Sequence, residues 1–292
     1  MFDRFVAVDW SAASTPTTGK DSIWIAVLDD DGLRMTNPPT RSRAEAELIA
    51  CTAGRGRERT VIGVDFSLGY PAGTAAGLGL AGWEETAERL AHDVTDDDRN
   101  RNNRFDVAAR WNQELTAASA PFWGCPPSAA GPWLGPTRPA EGAAVPTWRR
   151  VEQVLRDQGR RPFSSWQLMG AGAVGSQSLV GIPTVVRLRR QLGARLAVWP
   201  FTTGVAVPET RRGSVVVAEV WPSLWPVEVA VGEVRDAAQV RSTVQRLRRL
   251  DRSGQLEALF QPRLTCGPSR RGPDPWRDRV VDEEGWVLGV AA

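Results

Sequence analysis

The stretch that decides the reading is "FVAVDWSA", residues 5 to 12, together with its echo "VIGVDFSL", residues 61 to 68. Each is an apolar, β-branched run that ends on an aspartate, Asp9 or Asp65, and continues with an aromatic residue and a serine. Runs of this kind suit strands buried on both faces, in a sheet covered by helices. Ligands of such sheets collect beyond the carboxyl ends of the strands, where an acid projects into the crevice. A third run, "SVVVAE" at residues 214 to 219, brings Glu219 to an equivalent place. Trp10 and Phe66 alternate away from the two aspartates and are expected to pack on the opposite face.

Outward from the first run, "SIWIAVLDD" (22 to 30) and "GLRMT" (32 to 36) read as strands joined by an Asp-Gly turn. "RAEAELIACTAG" (43 to 54) has helical spacing and ends at a glycine, and the second aspartate run follows it. The order strand, strand, strand, helix, strand predicts an α/β fold with a mixed sheet flanked by helices. Beyond Pro71 the texture changes to helix-like segments. Residues 120 to 148 are crowded with Pro, Gly and Trp and read as an ordered, irregular insertion, because burying three tryptophans offsets ordering entropy. Helices are expected at 149 to 158 and 173 to 193, the second bent or broken at Pro183. Strand-like runs return after residue 195, so a single domain over 1–292 with an insertion at about 72–195 fits better than two sequential domains.

Composition narrows the function. The 292 residues carry 36 Lys+Arg against 34 Asp+Glu, too near neutrality for recognition of nucleic acid by charge alone. The single histidine, His92, excludes histidine-centred triads and multi-histidine metal sites. Three dispersed cysteines, Cys51, Cys125 and Cys266, form no disulfide framework and no CxxC site. The amino terminus lacks a basic start with an apolar middle, and no run approaches membrane-span length, so a cytoplasmic location is the expectation.

Clustered carboxylates repel one another unless a cation compensates, and oxygen-only donors suit Mg2+ or Mn2+. Asp9, Asp65 and Glu219 are therefore candidate metal ligands. Asp236, near the start of an amphipathic helix, is the candidate fourth acid, in competition with Asp282, Glu283 and Glu284. Ser11 and Ser67, two residues beyond the aspartates, are candidate substrate contacts, as are Ser176 and Gln177 at a helix start that can face phosphate. The glycine-rich stretch at 169 to 181 lacks the GxGxxG of a dinucleotide loop, and "GKDS" at 19 to 22 lacks the rest of a P-loop. Basic runs at 149 to 162, 187 to 195 and 246 to 252 are mainly solvated faces; converging with Trp148, Trp166 or Trp199 they would form a base-stacking groove.

Taken together, "VAVDWSA", "IGVDFSLGYPAG", "RFDVAARWN", "SQSLVGIP", "AEVWPS" and "EEGWVLG" resemble the predicted nucleases with a ribonuclease-H-like fold, the family catalogued as domain of unknown function 429. The resemblance touches most of the chain. It implies a ribonuclease-H-like sheet, Asp9 and Asp65 as metal ligands, Glu219 at the later acidic strand position and Asp236 as the acid on the following helix. The implied activity is metal-dependent phosphodiester hydrolysis of a nucleic acid or nucleotide-containing substrate. The alternatives are an ATPase-like or molybdenum-cofactor-related protein, or an inactive scaffold, on the same fold. The chain has no compact Asp-x-x-Asp-Ala helix at its end, a departure from the family's commoner pattern.

Overall fold

Two antiparallel pairings and three parallel ones arrange six strands in the order β3-β2-β1-β4-β6-β5. The computed structural model describes residues 1–53, 58–138, 145–170, 172–264 and 275–291. The strands are β1 (Arg4–Asp9), β2 (Trp24–Asp29), β3 (Gly32–Thr36), β4 (Thr60–Val64), β5 (Leu196–Val198) and β6 (Val215–Glu219). The helices that position the site are α1 (Arg41–Ala53), α4 (Arg104–Thr116), α5 (Arg150–Asp157), α6 (Val174–Leu192) and α7 (Arg235–Arg252); α2 (Thr74–Gly77) and α3 (Trp83–Asp93) follow β4. The α/β class and the mixed sheet flanked by helices agree with the reading from sequence. The β2–β3 turn lies at Asp30 and Asp31, one step ahead of the expected Asp-Gly, with Gly32 opening β3 at φ 111°.

The central strands β1, β4 and β6 are apolar because both of their faces are covered. Val6, Val8, Ile62, Val64, Val215 and Val217 meet α1, α3 and α6 on one side. Phe5, Ala7, Val61, Val216 and Ala218 meet α5, α7 and the carboxyl-terminal stretch on the other. Trp10 and Phe66 join the first layer with ring centroids 5.9 Å apart, in keeping with the alternation expected from sequence.

Pro183 does not break α6. The helix runs through it, with Leu179, Val180, Ile182, Val185 and Val186 all buried around it. Several buried side chains at about 1.5–3 kcal/mol each outweigh the roughly 3 kcal/mol of an interior proline. Trp166 and Trp199 are also fully buried, so neither offers a face to a base. Trp148 is partly buried between the guanidinium groups of Arg138 and Arg156, 5.5 and 4.5 Å from its ring centre. In the run at 187 to 195, Arg187, Arg189 and Arg190 are paired with Glu45, Glu84 and Glu88. Cys51 and Cys125 are free thiols, whereas Cys266 and residues 139–144 of the irregular insertion lie outside the described residues. No helix among the described residues is long and apolar enough to cross a membrane.

Candidate functional site

Parallel pairing of β1 with β4 puts Val8 opposite Val64, so Asp9 and Asp65 are the next residues at the same sheet edge. Neighbouring strands lie about 4.8 Å apart, which sets two carboxylates side by side. The ladder continues one step beyond β4, where Asp65 N–H donates to Val8 O at 3.2 Å. The Asp65 side chain reaches back over β1, its Oδ1 accepting from the Trp10 N–H at 2.7 Å. Burial and then the charge of Asp65 push the Asp9 carboxyl well above the usual range, with further contributions from Asp236 and Asp21. Burial likewise pushes Asp65 up to about 7, against the lowering effect of its backbone hydrogen bonds. Among the described residues neither carboxylate forms an ion pair with a cation.

Asp236 occupies the first turn of α7, and its Oδ2 accepts from the Asp21 N–H at 2.7 Å. Its charge acts on both Asp9 and Asp65. The competing acids are occupied elsewhere. Glu283 accepts from the Gly73 and Ala75 N–H groups, Glu284 from those of Ala72 and Arg150, and Asp282 is exposed. Glu219 sits at the end of β6, beside Val64, but its carboxylate is turned to a fully buried Arg149, whose Nη1 and Nη2 donate to it at 2.7 and 2.6 Å. Arg149 also donates to Glu152 at 2.8 Å and to the carbonyl of Glu284 at 3.0 Å. Burial alone disfavours its charge; the two flanking carboxylates outweigh burial and raise its pKa. Among the described residues, no three His, Cys, Asp or Glu side chains are gathered closely enough to hold a metal ion.

Two cavities open on either side of Asp9, and Asp9, Gly172 and Gln177 line both. The first, of about 330 Å3, also reaches Asp65, Ser67, Arg149 and Glu219 and has Leu155, Phe163, Val174 and Trp221 as apolar wall. The second, of about 380 Å3, is bounded by the loop after β1, including Ser11, and by Asp21, Asp236, Arg104 and the start of α6. Gly172 is in the left-handed region at φ 70°, and a Cβ there would lie 2.1 Å from the Phe163 ring. Only glycine fits where the cavities meet. The Gln177 amide donates to the carbonyl of Trp10, which ties α6 to β1 beside Asp9.

The candidate serines at this edge differ in their surroundings. Ser176 is buried, its hydroxyl donating to Leu168 O at 2.7 Å and accepting from Arg104 Nε at 3.0 Å. The α6 N–H groups of Gly175, Ser176 and Gln177 donate to the Gln167 and Ala173 carbonyls, so they are taken by the chain itself. The Ser11 hydroxyl donates to Asp21 O and accepts from the Ala13 N–H, a local turn bond. Ser67 lines the first cavity and is almost wholly buried. Sequence reasoning missed Arg104, Arg149 and Glu152. The i, i+3 spacing of Arg149 and Glu152 in "WRRVEQ" was the one visible trace, since it signals a helix-start pair.

Comparison of the chain with protein-family models, with curated proteins and with solved structures returns no match, so geometry carries the functional reading.

Proposed function

We propose that this chain is a metal-dependent phosphodiesterase with a ribonuclease-H-like sheet, acting on a nucleic acid or nucleotide-containing substrate. The observation that carries the reading is the Asp9–Asp65 pair: two adjacent, partly buried carboxyls at a cleft, raised by burial and by negative charge, with no ion pair to a cation among the described residues. Such a pair calls for a cation from outside the chain. Their donor set fits Mg2+ or Mn2+, because Mg2+ is commonly held by one or two carboxylates and completes its shell with water and substrate phosphate. Glu219 does not fit as a free ligand, since Arg149 already neutralises it. The antiparallel β1–β3 unit followed by parallel β4 and β6 supports the fold reading.

When bound, the metal supplies an activated water and charge stabilisation at the leaving oxygen. The chain's own residues do the rest. Asp9 and Asp65 anchor the reacting centre, and Asp236 adds negative charge from α7. Gln177 keeps the Trp10 carbonyl fixed at the mouth between the cavities. Arg149, held by Glu152, fixes the carboxylate of Glu219 on the wall of the first cavity.

The test is hydrolysis of single-stranded and duplex DNA and RNA and of bis(p-nitrophenyl) phosphate with Mg2+ or Mn2+. Activity should vanish in EDTA and return with the metal, and Asp9→Asn should lower it by about 100-fold or more, the scale of losing a metal ligand. Equal turnover by Asp9→Asn and wild type would sink the proposal.

A further inference from the structure

The second cavity is electrically divided. Asp9, Asp21 and Asp236 contribute to its lining, and Arg104, the first residue of α4, contributes the opposite charge. Among the described residues Arg104 has no carboxylate within ion-pair distance, unlike Arg41 behind it, which is held by Asp96 at 2.5 Å. Its hydrogen bonds all go to neutral oxygens: Nε to Ser176 Oγ at 3.0 Å, Nη1 to Ser14 Oγ and to Asn102 Oδ1, each at 2.9 Å. Nη2, with two N–H groups, has no acceptor in the described chain. With the rest of the guanidinium held, the Nη2 edge is left to solvent or to a ligand in the cavity that Arg104 lines. Burial, and then the nearby Arg41, lower its pKa to about 10, against the raising effect of Asp96.

The guanidinium is also fixed before any ligand arrives. Ser176 and Asn102 hold it from α6 and from the turn before α4, and the Phe105 ring lies 4.3 Å below its carbon. The opposite wall, the loop after β1, is pinned by Arg41 through the carbonyls of Ser11 and Ala13. The start of α6 offers no free N–H here, so the charged side chain is the available anion contact.

We propose that Arg104 recognises a phosphoryl group of the substrate, through the N–H groups of Nη2, in the cavity beyond Asp9. This assignment rests on the phosphodiesterase reading for the identity of the reacting centre. A guanidinium N–H to a phosphate oxygen is a charge-assisted hydrogen bond, stronger than one between neutral groups. A ligand that presents a cation to the acid wall and a phosphate to Arg104 matches both signs of the cavity, and a nucleotide with its divalent ion has that polarity. The first cavity, with Phe163 and Trp221 on its wall and its one arginine already paired, suits the flat, uncharged part of the same molecule.

Isothermal titration calorimetry with AMP and with adenosine tests this on the full chain. With Mg2+ present, Arg104→Gln should bind AMP at least tenfold more weakly than wild type while adenosine is unaffected. Arg104→Lys, which keeps the charge but loses the donors that hold the guanidinium in place, should fall between them, and a thermal melt checks that each variant is folded. Asp9→Asn without Mg2+ gives an arm independent of the metal: AMP binding there should still drop at least tenfold when Arg104→Gln is added. If Mg2+ leaves wild-type AMP binding unchanged but the Arg104 dependence persists, the metal reading fails and the phosphate contact stands. An Arg104→Gln protein that binds AMP like wild type overturns the proposal. So does an equal loss for AMP and adenosine, which would mark Arg104 as a wall support, and so does a wild type that binds neither.

Discussion

Asp65 carries a partly buried carboxyl whose hydrogen bond to the Trp10 N–H can be kept by an amide of the same shape. Its pKa in the folded chain, about 7, lies above the ordinary 3.8. Below about pH 4 folded and unfolded chains both hold the proton. As pH rises from there to about 7, the unfolded chain releases it first, so the metal-free protein loses stability across that window. Asp65→Asn removes the titrating group and should stabilise the metal-free protein by about 1–2 kcal/mol at pH 8 while flattening the slope between pH 4 and 7. Urea midpoints measured in EDTA at pH 5 and pH 8 check this; the same slope in both proteins would refute the burial argument. Added Mg2+ should reverse the order at pH 8, because only the wild type gains ligand-linked stability.

Among the elements, α6 is where packing overrides propensity. Glycine inside a helix usually costs about 1 kcal/mol relative to alanine. At Gly181 the sign reverses, because a Cβ there would lie 2.5 Å from the ring of Phe66, the residue after Asp65. Gly181→Ala should therefore destabilise by about 1–3 kcal/mol, the range of overpacked cores, read from the denaturation midpoint. A neutral or stabilising effect would show that α6 stands further from the sheet. The same helix shows which parts of the elements were legible. Its existence followed from apolar spacing, whereas its continuity through Pro183 depended on burial around that residue, which no local signal carries.

Across the whole molecule, Arg149 joins regions far apart in the chain: the start of α5, the end of β6 seventy residues on, and the carboxyl-terminal turn at Glu284. That turn leads to Val287, which pairs with Glu219, and Leu288 N–H donates to the Glu219 carbonyl at 2.8 Å. Arg149→Met would leave Glu152 and Glu219 buried without their cation. Removing one partner of a buried pair costs about 3–5 kcal/mol, so the variant should unfold well below wild type in urea. A triple replacement of Arg149, Glu152 and Glu219 by apolar residues should recover much of that loss, since no charge is then stranded.

The strands, the burial of the central ones and the two acids at their ends were legible in the sequence, because these follow from local periodicity and from where an apolar run stops. The sequence also reached Asp236 as a candidate without being able to rank it above Asp282, Glu283 and Glu284. Folding distinguishes their surroundings: Glu283 and Glu284 accept backbone N–H groups after Pro71, and α7 brings Asp236 against the Asp21 N–H. The turning of Glu219 toward Arg149 and the opening of Arg104 into the second cavity were decided only by the tertiary structure. Both depend on which polar group each arginine meets across some seventy residues of chain, 70 for Arg149 with Glu219 and 72 for Arg104 with Ser176. Long-range partners are chosen by packing geometry, and a spacing pattern within one segment does not encode them.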